Sequence, residues 1–166
     1  KGRVRLTKEG EKGTYILKPI PRDMDRIEMV PANEHLTMQI AKQEYGLKTA
    51  ENGLIFYRNG EPAYLTKRFD IDANSEKKLG LEDFATLAGK TKETDGEEFK
   101  YNSSYEEIAD LIKKYAGAYP VALEEFYKEV VFNFLFSNGD AQLKNFSLLE
   151  TAQGDYVLSP AYDLIN

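Results

Sequence analysis

Short alternating stretches of apolar and polar residues come first in this chain, and helical spacing takes over after them. Val4–Thr7 and Thr14–Lys18 read as two strands, with Gly10 and Gly13 marking the turn between them. Pro19 and Pro21 end the second strand. Asn33 is placed as the N-cap of a helix over Glu34–Tyr45. Leu36, Ile40, Ala41 and Tyr45 supply its apolar face, and Gly46 stops it. Leu54–Tyr57 and Ala63–Thr66 flank Asn59-Gly60, a strong hairpin signal because both central residues of the shortest turn need positive φ. Up to Arg68 the predicted order is strand, strand, helix, strand, strand.

Beyond that point the period is mostly helical. Leu81, Phe84, Leu87 and Ala88 line one face of a helix that Gly89 ends. Lys90–Tyr101 is polar and reads as a loop, its acidic run Glu93–Glu98 being a solvated stretch. Ser104 with Glu107 forms a capping-box pattern before Ile108, Leu111, Ile112 and Tyr115. Leu123, Phe126, Tyr127, Val130, Val131, Phe134 and Leu135 continue the rule in a second helix. Phe132 and Phe136 lie off that face, so this helix is apolar nearly all round and is expected to be the central buried one. A hairpin follows, Phe146–Leu149 and Tyr156–Leu158 turning at Gln153-Gly154. The result is an α+β chain with a strand-rich portion, residues 1–70, and a mostly helical portion, residues 71–166.

Composition narrows the picture. At 166 residues, with 42% hydrophobic residues, 11 Tyr and 9 Phe, the chain can build a packed core. A formal charge of −6 disfavours sequence-independent nucleic-acid binding, which rests on a positive field. The absence of cysteine removes disulfides and thiolate metal sites. No run of 18 apolar residues and no signal-peptide pattern is present, so a soluble cytoplasmic protein without membrane contact is the expectation. The chain starts in what reads as a strand and stops at Asp163–Asn166, which reads as a piece of a longer protein.

The candidate chemistry sits in Ser137–Ser147. Asp140 and Asn145 stand five positions apart, and Asp163 follows after one predicted hairpin. Phosphoryl transfer from ATP needs a carboxylate to accept the proton of the attacking hydroxyl. It also needs hard oxygen ligands for Mg2+ and a lysine for the phosphates, paired with a helix glutamate. Asp140 fits the base, Asn145 and Asp163 the metal ligands, Lys18 the phosphate lysine and Glu34 its partner. Each residue alone has a plainer reading. Asn-Gly-Asp after a helix is ordinary turn chemistry, Asp163 can cap a helix, and Lys18 can be a solvated strand-end lysine. The ordered set is what carries the signal. His35, the single histidine, reads as a helix-surface or packing residue, and Gly10 and Gly13 as a plain turn. Arg68-Phe-Asp70 either lines a nucleotide pocket or closes the first portion.

Four segments, Asn33–Lys42, Leu65–Asp70, Asn138–Ser147 and Leu158–Asp163, resemble the HipA-like kinases, the toxin components of bacterial toxin–antitoxin pairs. The resemblance runs from about Thr14 to Asn166, and the stretch Asn138–Ser147 is its most specific part. It implies a two-lobed, protein-kinase-related fold and a serine/threonine protein kinase using ATP and Mg2+. By match of motif, Lys18 contacts ATP phosphates, Asp140 is the base, and Asn145 and Asp163 bind Mg2+. Lys67, Arg68 and Phe69 lie at the hinge beside adenine. The family also implies a protein substrate such as an aminoacyl-tRNA synthetase, and a small DNA-binding antitoxin as partner. Its glycine-rich phosphate segment belongs before Lys1, and further helices belong after Asp163. Where the family usually has histidine two positions after the base, this chain has Gln142, which hydrogen-bonds but cannot become cationic. Two other readings stand beside this one: a catalytically weak module that binds an antitoxin or another protein, and a small-molecule kinase of the aminoglycoside-phosphotransferase type.

Overall fold

The computed structural model describes residues 7–21, 27–72, 75, 77–101, 103–139 and 141–165. The fold is α+β and two-lobed, with two separate three-stranded antiparallel sheets among the described residues. In the smaller lobe, β1 (Tyr15–Pro19), β2 (Asn52–Phe56) and β3 (Pro62–Lys67) pair in the order β1-β3-β2. Of the expected strand Val4–Thr7, the first three residues lie outside the described residues, and Thr7 is not in a strand. The β2–β3 hairpin forms at Asn59-Gly60, but only Gly60 of that pair takes positive φ, +86°. The loop is longer than the shortest turn: Phe56 opposes Pro62, and Tyr57 N–H donates to Glu61 O at 2.9 Å. One left-handed residue closes such a loop.

Helix α1 (Val30–Gln43) starts a turn earlier than the sequence predicts. Pro31 sits in the first turn, where its missing N–H costs nothing. Asn33 is therefore inside the helix rather than its cap, and its Oδ1 accepts from Thr37 Oγ1 at 3.1 Å. The buried face is Pro31, Glu34, Thr37, Met38 and Ala41, whereas Leu36 and Tyr45 are exposed. The helix packs this face against β2 and β3, and Glu34 reaches a cation on β1, as described below.

The larger lobe begins with β4 (Leu81–Asp83), followed by α2 (Phe84–Leu87) and α3 (Lys92–Asp95). Leu81 is thus a strand residue paired with Leu149, not part of a helix face, and the stretch expected as loop contains a capped helical turn. A three-residue strand whose partner is far along the chain leaves no local periodicity to read. Ser104 caps α4 (Tyr105–Tyr115), its Oγ accepting from Glu107 N–H at 3.2 Å. The Glu107 carboxylate does not close the box; it accepts from Ser103 Oγ and Lys90 Nζ.

Helix α5 (Tyr119–Leu135) buries Ala122, Phe126, Glu129, Phe132 and Asn133. Tyr127, Phe134 and Leu135, expected inside, are exposed, so this helix is central but not buried all round. Phe132 and Phe136, expected off the face, stack at 4.3 Å and meet Tyr45 edge-on. An almost uniformly apolar helix gives periodicity little direction to report. After α5 come β5 (Ser147–Glu150) and β6 (Tyr156–Leu158), a hairpin turning at Gly154 and completing the sheet β4-β5-β6.

Two cores result. One lies within the larger lobe around Phe84, Ile112, Phe126, Phe146 and Leu148. The other joins the lobes: Met38, Ala41 and Tyr64 of the smaller lobe pack with Phe132, Ala161 and Leu164. The backbone ties the same seam, Ala50 N–H donating to Ala161 O at 2.9 Å and Ala161 N–H to Lys48 O at 2.8 Å. The residues just before Asp163 are therefore fastened to the smaller lobe. Among the described residues, no helix is long and apolar enough to cross a membrane.

Candidate active site

Three elements deliver charges to one point. Lys18 on β1 donates from Nζ to Glu34 Oε1 of α1 at 2.7 Å and to Asp163 Oδ1, beyond β6, at 2.5 Å. The Lys18 ammonium also lies 5.5 Å from the centre of the Tyr64 ring. Glu34 is almost fully buried, at 5% side-chain exposure, whereas Asp163 stays 46% exposed. Burial alone would depress the lysine, but Asp163 and then Glu34 outweigh it and hold Lys18 above its usual range. Burial raises Glu34 above the usual carboxylate range, and Lys18 offsets only part of that rise. Tyr64 is pushed up by its burial and by the Glu34 charge.

Asp163 has φ +56°, a left-handed conformation that aspartate tolerates better than most side chains. Its neighbours hold it there. Leu164 is buried in the seam between lobes, and Tyr162 O–H donates to Lys144 O at 2.7 Å. Ser147 Oγ and the Tyr162 hydroxyl lie 2.6 Å apart. With the tyrosine proton on Lys144 O, the serine is the donor in that pair. This latch joins Asp163 to the loop carrying Asn145, the last residue of the 3-10 turn Leu143–Asn145 leading into β5.

The front of that loop is fixed to α5. Ser137 takes φ +54° just past the helix end, the position where glycine is commonest. Asn138 is buried, donating from its backbone N–H to Asn133 O at 2.9 Å and from Nδ2 to Asn133 Oδ1 at 3.0 Å. Leu143 N–H donates to Lys100 O at 2.9 Å. Asp140, the candidate base, lies outside the described residues.

The structure thus brings Lys18, Glu34 and Asp163 together and ties Asn145 to them through Tyr162. Phe69 joins the same region, its ring 5.6 Å from that of Tyr162. Lys67 stands at the sheet rim, where its ammonium pairs with Glu51 at 3.0 Å. Arg68 and Asp70 form a two-pronged pair with each other, at 2.9 and 2.5 Å. His35 packs through Nδ1 against Asn52 Oδ1 at 2.8 Å. Sequence reasoning missed Tyr64, Tyr162 and the Asn133–Asn138 clamp. The one available signal was Asn133 itself, a polar residue in an otherwise apolar run.

The described charges at this point are two carboxylates and one ammonium. Glu34 and Asp163 place two carboxylates against the single ammonium of Lys18, leaving room for added positive charge. Among the described residues, no group of three acidic, His or Cys side chains forms a metal cage. Mg2+ does not require one, since it is held by one or two carboxylates together with substrate phosphates and water.

The family pattern of the HipA-like C-terminal domain matches residues 1–166. A protein of Haemophilus influenzae with a provisional kinase name is 30% identical over 165 residues, covering 94% of this chain and 46% of that protein. A protein of Sinorhizobium fredii, also provisionally named a kinase, is 32% identical over 177 residues, covering 99% and 40%. The chain spans less than half the length of these curated relatives. Among solved structures, HipA of Shewanella oneidensis, in a complex with HipB and operator DNA, superposes with a TM-score of 0.70. The identity there is 22%, over 92% of this chain and 37% of that one. The Helicobacter pylori proinflammatory kinase CtkA gives 0.67 at 21% identity, over 90% and 50%. At these identities the likeness is one of fold.

Proposed function

Because this chain belongs to the family of HipA-like C-terminal domains, we propose that it forms most of a site for ATP- and Mg2+-dependent phosphoryl transfer to serine or threonine of a protein. The observation that carries this reading is the meeting of Lys18, Glu34 and Asp163 from three separate elements. Mg2+ when bound neutralises phosphate oxygens, and Asn145 and Asp163 are the residues that hold it. Lys18 offers its ammonium to the nucleotide phosphates, and buried Glu34 fixes its direction. Asp140 accepts the proton of the attacking hydroxyl. Phe69 lies at the adenine side, and Lys67 borders it. Residues 1–70 make up the smaller lobe and residues 71–166 their share of the larger.

The fold shared with a HipA that was solved with HipB and operator DNA supports a small DNA-binding antitoxin as partner. A translation protein such as an aminoacyl-tRNA synthetase is the substrate class that the resemblance favours, and the cytoplasm is the compartment where both are met. Gln142, in place of the usual histidine, favours one second reading: a weak kinase-like module that binds a protein partner. Transfer of labelled phosphate from ATP by the intact protein, compared with Asp140→Asn, tests the first reading. Label in the wild type and none in the variant supports it, and equal label in both removes Asp140 from the chemistry. No heat and no thermal shift with ATP and Mg2+ would favour the second reading.

A further inference from the structure

The two candidate metal ligands stand on separate supports. Asn145 ends the 3-10 turn Leu143–Asn145, which its own N–H closes on Gln142 O at 2.9 Å. Leu143 N–H fastens that turn to Lys100 O at 2.9 Å, within the larger lobe. Asp163 comes after the chain has left that lobe's sheet. Ser159 N–H still donates to Ser147 O at 2.9 Å, but two residues later Ala161 is bonded to Lys48 and Ala50 of the smaller lobe. The spacing of Asn145 and Asp163 therefore calls for a link across the gap, and the Tyr162 hydroxyl supplies one. It donates to Lys144 O at 2.7 Å, one residue before Asn145. It also lies 2.6 Å from Ser147 Oγ, two residues after Asn145. Both sides of Asn145 are thus held by the residue that precedes Asp163.

We propose that Tyr162 and Ser147 are positioning residues that set the spacing of Asn145 and Asp163, and thereby the affinity of this site for a divalent cation. Three features favour that role over simple packing. The anchor is rigid: Ser147 is almost fully buried, opposes Asp83 of β4, and is bonded through its backbone to Ser159. The ring of Tyr162 packs without help from its hydroxyl, since its contact with Phe69, at 5.6 Å, is one that phenylalanine would keep. The hydroxyl is therefore free to serve the loop. Asp163 holds φ +56°, and a side-chain-bearing residue stays in that region only where its surroundings over-determine it. Buried Leu164 fixes one side of Asp163, and Tyr162 fixes the other. Residues that orient metal ligands typically change metal affinity by about 10- to 100-fold when they are replaced.

The identity of the two ligands rests on the phosphoryl-transfer reading, whereas the hydrogen-bonded link does not, so the test separates the two. Mn2+ is titrated into the intact protein with ADP present, and electron paramagnetic resonance reads the bound metal. Calorimetry on the same samples reports ADP binding, and a thermal melt without metal reports folding. Tyr162→Phe is expected to weaken Mn2+ binding about tenfold, and saturating Mn2+ restores ADP binding to the wild-type value. Ser147→Ala weakens metal binding by less, since the bond from Tyr162 to Lys144 O survives. The double variant binds Mn2+ no worse than Tyr162→Phe, because both residues act through one hydroxyl. A merely structural hydroxyl predicts a lower melting temperature with the Mn2+ affinity of the folded protein unchanged. That result, or additive losses in the double variant, overturns the proposal. A wild type that binds no Mn2+ removes the proposal together with the phosphoryl-transfer reading. Metal affinity that depends on Tyr162 in a protein that transfers no labelled phosphate keeps the link and removes the reaction instead.

Discussion

Among the described residues two glutamates are buried, each on a long helix, and they have opposite surroundings. Glu34 on α1 has Lys18 at 2.7 Å and a second carboxylate, Asp163, across that lysine. Glu129 on α5 is as deeply buried, and the charge acting on it is the like charge of Glu125. It borders a small cavity of about 100 Å3 shared with Lys48 and Ser159. Burial raises both groups. Only Glu129 is pushed up to about 8, by its burial and then by the like charge of Glu125. A buried carboxylate that meets a cation orients it, whereas one that meets none keeps its proton. The first arrangement builds a charged site, and the second behaves as a neutral packing group near pH 7.

The sharpest way to break this contrast is to remove the cation. Lys18→Met should lower phosphoryl transfer by about a hundredfold or more, because a charge aimed at the phosphates is gone. It should also cost about 2 kcal/mol of stability, less than a fully buried pair because Lys18 is 36% exposed. In Lys18→Met/Glu34→Gln the stability should return while transfer stays lost; denaturant melts and the labelled-phosphate assay read the two effects.

Glu129 sharpens the contrast through pH. Its folded pKa of about 8 lies above the ordinary 4.5, so between those values the folded protein keeps a proton that the unfolded chain has released. Its contribution to stability is therefore full below about pH 4.5 and falls as pH rises toward 8. Glu129→Gln should flatten that fall, gaining on the order of 4 kcal/mol at pH 8.5 and almost nothing at pH 4.5. Thermal melts at the two pH values measure it, and a uniform loss at both would mean that the carboxylate has a structural partner.

The smallest effect concerns the loop that follows α5. Asn138→Ala leaves the buried Asn133 Oδ1 without the amide it now accepts from, and should cost about 1–2 kcal/mol. Replacing both asparagines with apolar residues should recover part of that loss. Denaturant titration of the single and double variants provides the measurement.

Much of this site can be read along the chain, and the rest fails for definite reasons. Lys18, Glu34 and Asp163 were legible as an ordered set, although each alone has a plainer reading, and the structure places the three in contact. The Ser104 cap and the stops at Gly46 and Gly89 were legible because capping is local chemistry. The start of α1 was not, since Asn33 offers a cap while Pro31 fits the first turn two residues earlier, and local preference does not rank them. The face of α5 was not legible either. Its exposed Tyr127 and Phe134 and its buried Glu129 and Asn133 run against hydrophobicity, and the neighbouring elements decide between them.

The sequence by itself determined the elements with strong local signals, the α+β class and the types of residue available for chemistry. Tertiary structure decided which faces are buried and that Tyr162 latches Asp163 to the loop of Asn145. The physical reason is one of range. Caps, turns and periodicity act over a few residues, whereas burial and pairing depend on contacts such as Lys18 with Asp163, 145 positions apart in the chain.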